Sequence, residues 1–452
     1  MSFEEREALK IEITSRRVTR RTVQRRKDSD ELQKSMNQDE MSENRMRFGT
    51  RVAEGHRNYI LMYDMLTGIR IAVGRVSAKL KREIIQEDFK AAHKLVFDVT
   101  GNELTPGVKY DFKFKDYAPW VFRNIRERFH VDAGDYLMSL TSKYILSELG
   151  SPGKSGSFFY YSRDYRFIIK TINVTEHKFM RRILKDYYKH ICQNPNTLLC
   201  RLYGLHRIKL PHDRKIHFVV MENIFPSNLD VHQIFDLKGS LFGRWTPNEE
   251  VAKNPHAVMK DQNWIEHNCR LQLGPEKRTA FLTQLEHDVT FLKKLNIMDY
   301  SLLIGVHDLK RGNSEGIRDN QLQIVKPLEP QKVSIRRDKA AVVRQALKKA
   351  NPKQLDPSEL PETPSKNRQS QCVFYADNGG YCSSDKDDRD LDILYFIGII
   401  DILTPYNIVK KTEHIWKSMT QNKATISSVP PTTYGERFSE FIRKAVSVAN
   451  GS

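Results

Sequence analysis

The sequence predicts an α+β fold in which helices are combined with short strands. Three observations lead to this prediction. Aromatic and β-branched runs at Phe158–Tyr161 and Phe167–Ile169 flank a short polar turn, which is the pattern of an antiparallel hairpin. Apolar residues at four-residue steps predict a helix over 176–191. A second apolar stripe predicts an amphipathic helix over Leu282–Asn296.

The remaining elements follow in chain order. A buried helix is predicted from Tyr59 to about Gly68, and residues 118–147 contain a further helical stretch before the hairpin. Four further runs are expected to be strands: Leu202–Ile208, His217–Met221, Phe235–Leu237 and Leu302–Val306.

Two polar regions flank or interrupt this pattern. Residues 1–52 are expected to form a basic, disordered arm, since Arg16–Lys27 carries seven basic residues and no acid; a merely solubilising tail is the alternative. Residues 309–371 are rich in Pro, Lys, Ser and Gln and nearly free of aromatics, which indicates a flexible insertion. The folded domain is therefore predicted to span residues 53–450.

The formal charge of +18 predicts an anionic partner, which could be nucleic acid, an acidic membrane surface or a phosphorylated substrate. The charged N-terminus shows no secretory signal, so we expect a cytoplasmic protein. The longest apolar stretch, Leu394–Leu403, is too short to span a bilayer. Five cysteines without C-x-x-C spacing indicate free thiols rather than a disulfide framework or a zinc site.

The stretch Gly150–Lys170 contains a phosphate-binding pattern. Its Gly153–Ser155 segment matches the end of a P-loop, but Glu148 stands where a P-loop needs glycine, and a strand follows where a helix is required. The alternative is a kinase-type flap, in which Gly153 and Gly156 let the backbone approach nucleotide phosphates and Lys170 on the next strand pairs with them. An ordinary hairpin with a solvated lysine remains open at this point.

Two aspartates lie where a phosphotransferase needs carboxylates. Asp299 lies between a helix and an apolar strand, and Asp401 ends the apolar run Ile397–Ile400. An ionised carboxylate there is costly to bury without a cation. A turn-capping role for Asp401 is the alternative.

Four motifs in this order resemble the phosphatidylinositol phosphate kinase family, with its type I enzymes as the closest group. They are "SPGKSGSFFY…FIIK", "FDLKGS", "MDYSLL" and "IGIID", and the likeness covers residues 55–310 and 372–445. The resemblance implies a two-lobed, protein-kinase-like fold with antiparallel sheets in both lobes, divided near residue 222. The H-R-D and D-F-G motifs of ordinary kinases are absent, and Asp299 and Asp401 stand in their places.

The resemblance also implies roles by position. Lys170 would contact ATP phosphates, Asp299 would be the catalytic aspartate, both Asp299 and Asp401 would serve Mg²⁺, and Lys238 would lie near the transferred phosphate. The flap maps onto Ser155, Gly156 and Ser157. The segment that contacts adenine maps onto Met221, Glu222 and Asn223, and a contact to the substrate phosphate maps onto Arg244. Two departures from the family pattern are Leu241, where many relatives have threonine, and Gln262.

An amphipathic basic helix is predicted over Tyr406–Lys423. An interfacial membrane segment and an ordinary helix packed on the core are both compatible with its pattern. Its position resembles the family's activation segment, which favours the membrane. Five of its residues are implied in substrate or membrane contact: Lys410, Lys411, Glu413, Trp416 and Lys417.

The function that the resemblance implies is phosphorylation of phosphatidylinositol 4-phosphate at its 5-hydroxyl, with ATP and Mg²⁺. Glu413 supports this choice, because the sister 4-kinases carry alanine there. The alternatives are a phosphatidylinositol 5-phosphate 4-kinase and a catalytically weak lipid-binding scaffold. The implied setting is the inner face of the plasma membrane, as a peripheral protein that can form a homodimer. No motif favours nucleic acid.

Overall fold

The structure is a computed structural model. It describes residues 50–52, 55–101, 107–141, 146–150, 157–226, 228–254, 257–316, 380–406 and 430–447. By its internal contacts the chain divides into two units, Met1–Thr50 and Arg51–Ser452. The elements described below belong to the second unit, apart from Thr50, which begins the first strand.

A sheet of eight strands forms the first layer. Its spatial order is β1-β4-β5-β6-β8-β7-β3-β2, and the pairs from β4 to β2 are antiparallel. The strands are β1 (Thr50–Val52), β2 (Ala92–Phe97), β3 (Phe112–Tyr117), β4 (Leu146–Gly150), β5 (Phe158–Tyr161), β6 (Phe167–Ile172), β7 (Leu202–Lys209) and β8 (Lys215–Glu222).

Four helices accompany this sheet: α1 (Tyr59–Ser77), α2 (Pro119–Arg128), α3 (Ala133–Thr141) and α4 (Val174–Gln193). Helix α4 begins with a capping box, in which the Asn173 side chain accepts a hydrogen bond from the Glu176 amide and the Glu176 carboxylate accepts one from the Asn173 amide. Helix α1 approaches the sheet closely at Gly68, where a Cβ would lie 2.1 Å from the Phe114 ring.

A second sheet has the order β10-β9-β12-β14-β13. Its strands are β9 (Gln233–Leu237), β10 (Val258–Met259), β12 (Ser301–Asp308), β13 (Tyr381–Ser384) and β14 (Asp390–Ile400), and only the β9–β10 pair is parallel. Strands β12 and β14 run antiparallel in continuous register from Ser301 opposite Ile400 to Asp308 opposite Ile393.

Four helices accompany the second sheet: α5 (Asn248–Lys253), α6 (Asp261–Glu266), α7 (Pro275–Lys294) and α8 (Pro431–Ala445). Helix α8 packs on α7 at Gly435, where a Cβ would meet the Lys293 side chain at 2.6 Å. A short parallel pair joins β11 (Leu271–Gln272) to β15 (Val446–Ser447), and two 3₁₀ turns cover Gln86–Phe89 and Pro211–Asp213.

The predicted fold class is confirmed, since helices are combined with two largely antiparallel sheets. The predicted hairpin is β5–β6, in which Phe159 pairs with Lys170. The helix predicted from Leu282 begins seven residues earlier, at Pro275. The sequence did not signal this start because the first turn, Pro275–Arg278, carries no apolar stripe. Among the residues that the structure describes, no helix is both long and apolar enough to cross a membrane.

Candidate active site

Lys170 lies on β6, in the middle of the first sheet. Its backbone pairs with Phe159 on one side and Val219 on the other. The Lys170 ammonium lies 5.3 Å from the centre of the Phe159 ring and 2.7 Å from Asp401 Oδ1. Its side chain is only 14% exposed. The lysine of one predicted motif therefore meets the aspartate of another, 231 residues away in sequence.

Asp401 directly follows β14 and has a left-handed backbone, with φ of 61°. The side chain keeps 43% of its surface open, yet surrounding protein atoms withhold water from the carboxyl group, which acts to raise its pKa. The charge of Lys170 and its hydrogen bond outweigh this effect, and Lys238 adds to them, so the pKa of Asp401 lies below its ordinary value. The charges of the two lysines therefore keep Asp401 ionised, and Lys170 is the one that contacts it.

Asp299 directly precedes Tyr300 and β12 and is also left-handed, with φ of 62°. Because Ser301 pairs with Ile400, Asp299 and Asp401 lie at the same end of neighbouring strands. The flanking segments are joined as well: the Met298 amide donates to the Thr404 carbonyl at 3.1 Å. The fold thus brings both predicted carboxylates to one edge of the second sheet.

Lys238 follows β9, the strand on the other side of β12. Its ammonium donates a hydrogen bond to the Asp299 carbonyl at 2.8 Å. The next residue, Gly239, has φ of 66°, and a Cβ there would lie 3.1 Å from backbone atoms of Arg437 and Phe438 on α8. Glycine is therefore required both by the turn and by the close approach of α8.

Arg244 is held by two carboxylates. Its guanidinium donates to Asp236 Oδ1 at 2.5 Å and to Asp261 Oδ2 at 2.7 Å. Burial acts to lower the pKa of this guanidinium, but the two carboxylates outweigh it and raise the pKa. Asp261 Oδ1 also accepts hydrogen bonds from the Lys238 and Gly239 amides, so Arg244 and Asp261 together fix the loop that carries Lys238.

The segment predicted to contact adenine joins the two sheets. Met221 and Glu222 end β8, and the amides of Glu222 and Asn223 already donate to carbonyls of Arg201 and Arg166, at 2.9 Å each. These two amides are therefore not donors to a nucleotide. Burial raises the pKa of Glu222 despite the neighbouring Arg201.

Sequence reasoning missed how this segment docks on the second sheet. The side chains of Ile224 and Phe225 lie over Gly398 of β14 and Gly305 of β12, where a Cβ would approach within 2.4 Å and 2.7 Å. Both glycines sit in apolar strand runs, and such glycines are the sequence signal for a close approach.

A second connection reaches β14 two residues before Asp401. The Cys200 amide donates to the Ile399 carbonyl at 2.9 Å, and the Ile399 amide donates to the Leu198 carbonyl at 2.6 Å. The fully buried Asp288 of α7 accepts the Leu198 amide at 2.7 Å. The strand that carries Asp401 is thereby fastened to the chain leading into β7.

Tyr434 of α8 was not predicted as a site residue. It is fully buried, and its hydroxyl donates to the carbonyl of Tyr300, the residue after Asp299. Burial raises the pKa of Tyr434 well above its usual value, and the charge of Asp299 adds to this, so the hydroxyl stays protonated. No motif marks Tyr434; an apolar stripe over 431–445 is the only sequence signal.

Several predicted residues lie outside the part of the chain that the structure describes: Ser155 and Gly156 of the flap, and Lys410, Lys411, Glu413, Trp416 and Lys417 of the predicted membrane helix. Ser157 is described and is buried just before β5. Strands β4 and β5 pair antiparallel up to Gly150 opposite Phe158, on either side of residues 151–156.

The carboxylates of the site suit a Mg²⁺ ion that is bound together with a nucleotide. No group of three or more His, Cys, Asp or Glu side chains suited to a metal occurs within the described ranges. Mg²⁺ bound with a nucleotide usually takes one or two carboxylates together with phosphate oxygens. Asp401, held as a carboxylate at the same sheet edge as Asp299, fits that requirement.

Comparison with known proteins gives a consistent set of relatives. Residues 140–445 match the family model described as phosphatidylinositol-4-phosphate 5-kinase. The phosphatidylinositol 4-phosphate 5-kinase its3 of Schizosaccharomyces pombe is 54% identical over 88% of this chain and 55% of that protein. Phosphatidylinositol 4-phosphate 5-kinase 9 of Arabidopsis thaliana is 37% identical over 89% of this chain and 53% of that protein. The chain spans little more than half the length of these curated relatives.

Proposed function

The chain belongs to the phosphatidylinositol-4-phosphate 5-kinase family, and from that premise we propose that it transfers the γ-phosphate of ATP to the 5-hydroxyl of phosphatidylinositol 4-phosphate. The observation that supports the proposal most directly is the 2.7 Å contact between Lys170 and Asp401. It joins the flap-side lysine to the strand-end carboxylate beside Asp299. A phosphotransferase needs such a cation and such carboxylates around the phosphates.

In the proposed mechanism each residue has a separate task. Lys170 turns its ammonium to the α- and β-phosphates of ATP. Asp299 accepts a hydrogen bond from the 5-hydroxyl, orients it, and takes its proton as the new O–P bond forms and the bond between the γ-phosphorus and the β–γ bridging oxygen breaks, which releases ADP. Lys238, which touches the Asp299 carbonyl and lowers the pKa of Asp401 by its charge, stabilises the negative charge of the transferred phosphoryl group.

Asp401 and Asp299 are the residues that would hold Mg²⁺. The ion, when bound, would neutralise charge on the β- and γ-phosphate oxygens. Both aspartates have left-handed backbones at the same end of neighbouring strands, which sets where their side chains leave the chain before substrate arrives. Most of the rate acceleration should therefore come from positioning and preorganised charge.

The setting that we propose is the cytoplasmic face of the plasma membrane. The formal charge of +18 supports attraction to an acidic leaflet, since each basic side chain near such a surface contributes roughly 1 kcal/mol. Lys410, Lys411 and Lys417 would add to this attraction, and Trp416 would anchor the predicted interfacial helix. Self-association into a homodimer is part of the same proposal.

The test is a lipid kinase assay in which the two monophosphate isomers are supplied separately in mixed vesicles with ATP and Mg²⁺. We expect phosphatidylinositol 4-phosphate to give the 4,5-bisphosphate with the higher kcat/KM. The Asp401→Asn variant is the inactive control. Preference for the 5-phosphate isomer would replace the proposal with a 4-kinase, and no turnover of either lipid would refute the kinase assignment.

A further inference from the structure

A turn beside Lys238 exposes two large apolar side chains. Leu241 is 42% exposed and Phe242 is 59% exposed, although they follow the buried Ser240 directly. Gly243, with φ of 66°, completes the turn, and no atom lies within 4 Å of the place where its Cβ would be. Most surface turns carry polar residues, so two exposed large apolar side chains in one turn indicate an interaction site.

The turn is rigidly built. The Arg244 amide donates to the Leu241 carbonyl at 3.2 Å, and that carbonyl also accepts the Gln262 side-chain amide at 2.5 Å. The Gln262 backbone amide donates to the Arg244 carbonyl at 3.0 Å. With the Arg244 guanidinium held by two carboxylates, the turn cannot fold its apolar side chains inward without breaking these bonds.

Further apolar surface continues the patch. Ile265 is 49% exposed and lies one turn after Gln262 on α6, so it shares the face of the helix that contacts Leu241. The half-buried Trp245 follows Arg244. Segments that enter a bilayer interface typically carry large apolar side chains at their tip and tryptophan and cationic side chains behind it. This turn has that composition.

The short distance between this turn and the reacting groups also favours a lipid bilayer as the partner. Phe242 is four residues from Lys238, so their backbones are at most ~14 Å apart. The Lys238 ammonium contacts the Asp299 carbonyl at 2.8 Å. The headgroup layer of a bilayer is only about 5–8 Å thick on each side. A lipid headgroup that reaches Asp299 therefore brings the leaflet to the neighbourhood of this turn.

We propose that the turn Leu241–Arg244 inserts Phe242 and Leu241 into the lipid leaflet next to the catalytic site, so that the enzyme is docked at the depth of its substrate headgroup. This inference rests on the proposed lipid kinase function. It also accounts for Leu241 and Gln262, the two departures from the family pattern, as one linked feature, because the Gln262 side chain holds the Leu241 carbonyl.

The experiment compares the full chain with its Phe242→Ser variant and its Leu241→Ser/Phe242→Ser variant. Partition into phosphatidylcholine vesicles containing phosphatidylinositol 4-phosphate is measured without ATP, in high salt that screens surface charge. Each variant is then assayed on the same vesicles and on a water-soluble, short-chain phosphatidylinositol 4-phosphate. Met138→Ser is the matched control, since Met138 is 64% exposed on α3 beside the first sheet.

We expect the Phe242→Ser variant to bind vesicles roughly tenfold more weakly, with a larger loss for the double variant. Turnover of vesicle lipid should fall by a similar factor, turnover of the short-chain lipid should match wild type, and Met138→Ser should change neither. Unchanged partition would overturn the proposal. So would a parallel loss on both lipids, which would assign the turn to the site itself. A loss of self-association, read by sedimentation of the same variants without vesicles, would overturn it as well and assign the turn to a second copy. Partition is read without turnover, so it tests the turn even if the kinase assay gives no product.

Discussion

Replacing Tyr434 with phenylalanine should separate the position of Asp299 from the integrity of the fold. The change removes one hydroxyl, which donates to the Tyr300 carbonyl. The aromatic packing stays, because the Tyr434 ring lies 4.8 Å from the Tyr300 ring and 6.5 Å from the Phe438 ring. The perturbation is therefore confined to the restraint on the backbone next to Asp299.

The size of the effect follows from the lost hydrogen bond. Tyr300 is fully buried, so its carbonyl loses this donor without gaining water, and stability should fall by ~1–3 kcal/mol. Lys238 still holds the Asp299 carbonyl at 2.8 Å and the Met298 amide still donates to the Thr404 carbonyl, so the loop loses one of several restraints. We expect kcat to fall about 5- to 30-fold, equivalent to ~1–2 kcal/mol of transition-state stabilisation. KM for ATP should stay within about twofold, because Lys170 is untouched.

The assays are steady-state kinetics on vesicle lipid and denaturant unfolding of the same preparations. Tyr136→Phe is the control, because Tyr136 is also fully buried, and among the described residues its hydroxyl has no hydrogen-bond partner. That variant should keep wild-type kcat and lose no stability. A Tyr434→Phe enzyme with wild-type kcat, or with a rise in KM as large as its loss of kcat, would refute the reasoning.

Three further predictions concern other parts of the molecule. Lys170→Ala and Asp401→Asn should each leave less than a tenth of wild-type turnover, a loss above ~1.4 kcal/mol, with unchanged circular dichroism; greater residual activity would contradict their roles. Glu413→Ala, a prediction from sequence alone, should shift the kcat/KM ratio of the two lipid isomers toward the 5-phosphate, and an unchanged ratio would remove Glu413 as selector. Burial lowers the pKa of His177 to about 3 and that of His217 to about 4, so the unfolded chain takes up protons that the native protein does not as the pH falls below about 6.5. The free energy of unfolding should thus decline between pH ~6.5 and ~4 by up to ~1.4 kcal/mol per pH unit for each histidine. Denaturant unfolding of His217→Phe at several pH values should show about half of that slope. An unchanged slope would mean that the histidines are protonated in the native state and would contradict the prediction.

Local patterns were sufficient to predict the elements that carry the site. The helix over 176–191 was predicted from apolar residues at four-residue steps, and α4 buries those same side chains. The hairpin was predicted from β-forming runs around a polar turn, and Lys170 lies on its second strand as expected. Such predictions succeed because helix and strand periodicity is written into neighbouring residues.

Contacts between distant segments could not be predicted in the same way. The Lys170–Asp401 pair joins residues 231 positions apart, and the hydroxyl of Tyr434 reaches a carbonyl 134 positions away. Arg244, which the resemblance implies in contact with a substrate phosphate, is paired with Asp236 and Asp261, and the sequence did not predict these two pairs. No local pattern specifies which carboxylate a buried arginine will meet, because that depends on how the strands are ordered.

The left-handed backbones of Asp299 and Asp401 must be stabilised by contacts of the second sheet. A non-glycine residue in this region costs on the order of 1–3 kcal/mol and persists only where its surroundings determine it. The register that sets Ser301 opposite Ile400 fixes both aspartates at one edge. The Met298 amide on the Thr404 carbonyl then restrains the segments on their far sides. Since β14 is also bonded through Ile399 to Leu198 and Cys200, a shift of the Asp401 backbone away from the chain that leads into β7 must break backbone hydrogen bonds. The strain in the two aspartates is therefore offset by the same contacts that hold the lysine and carboxylate 2.7 Å apart.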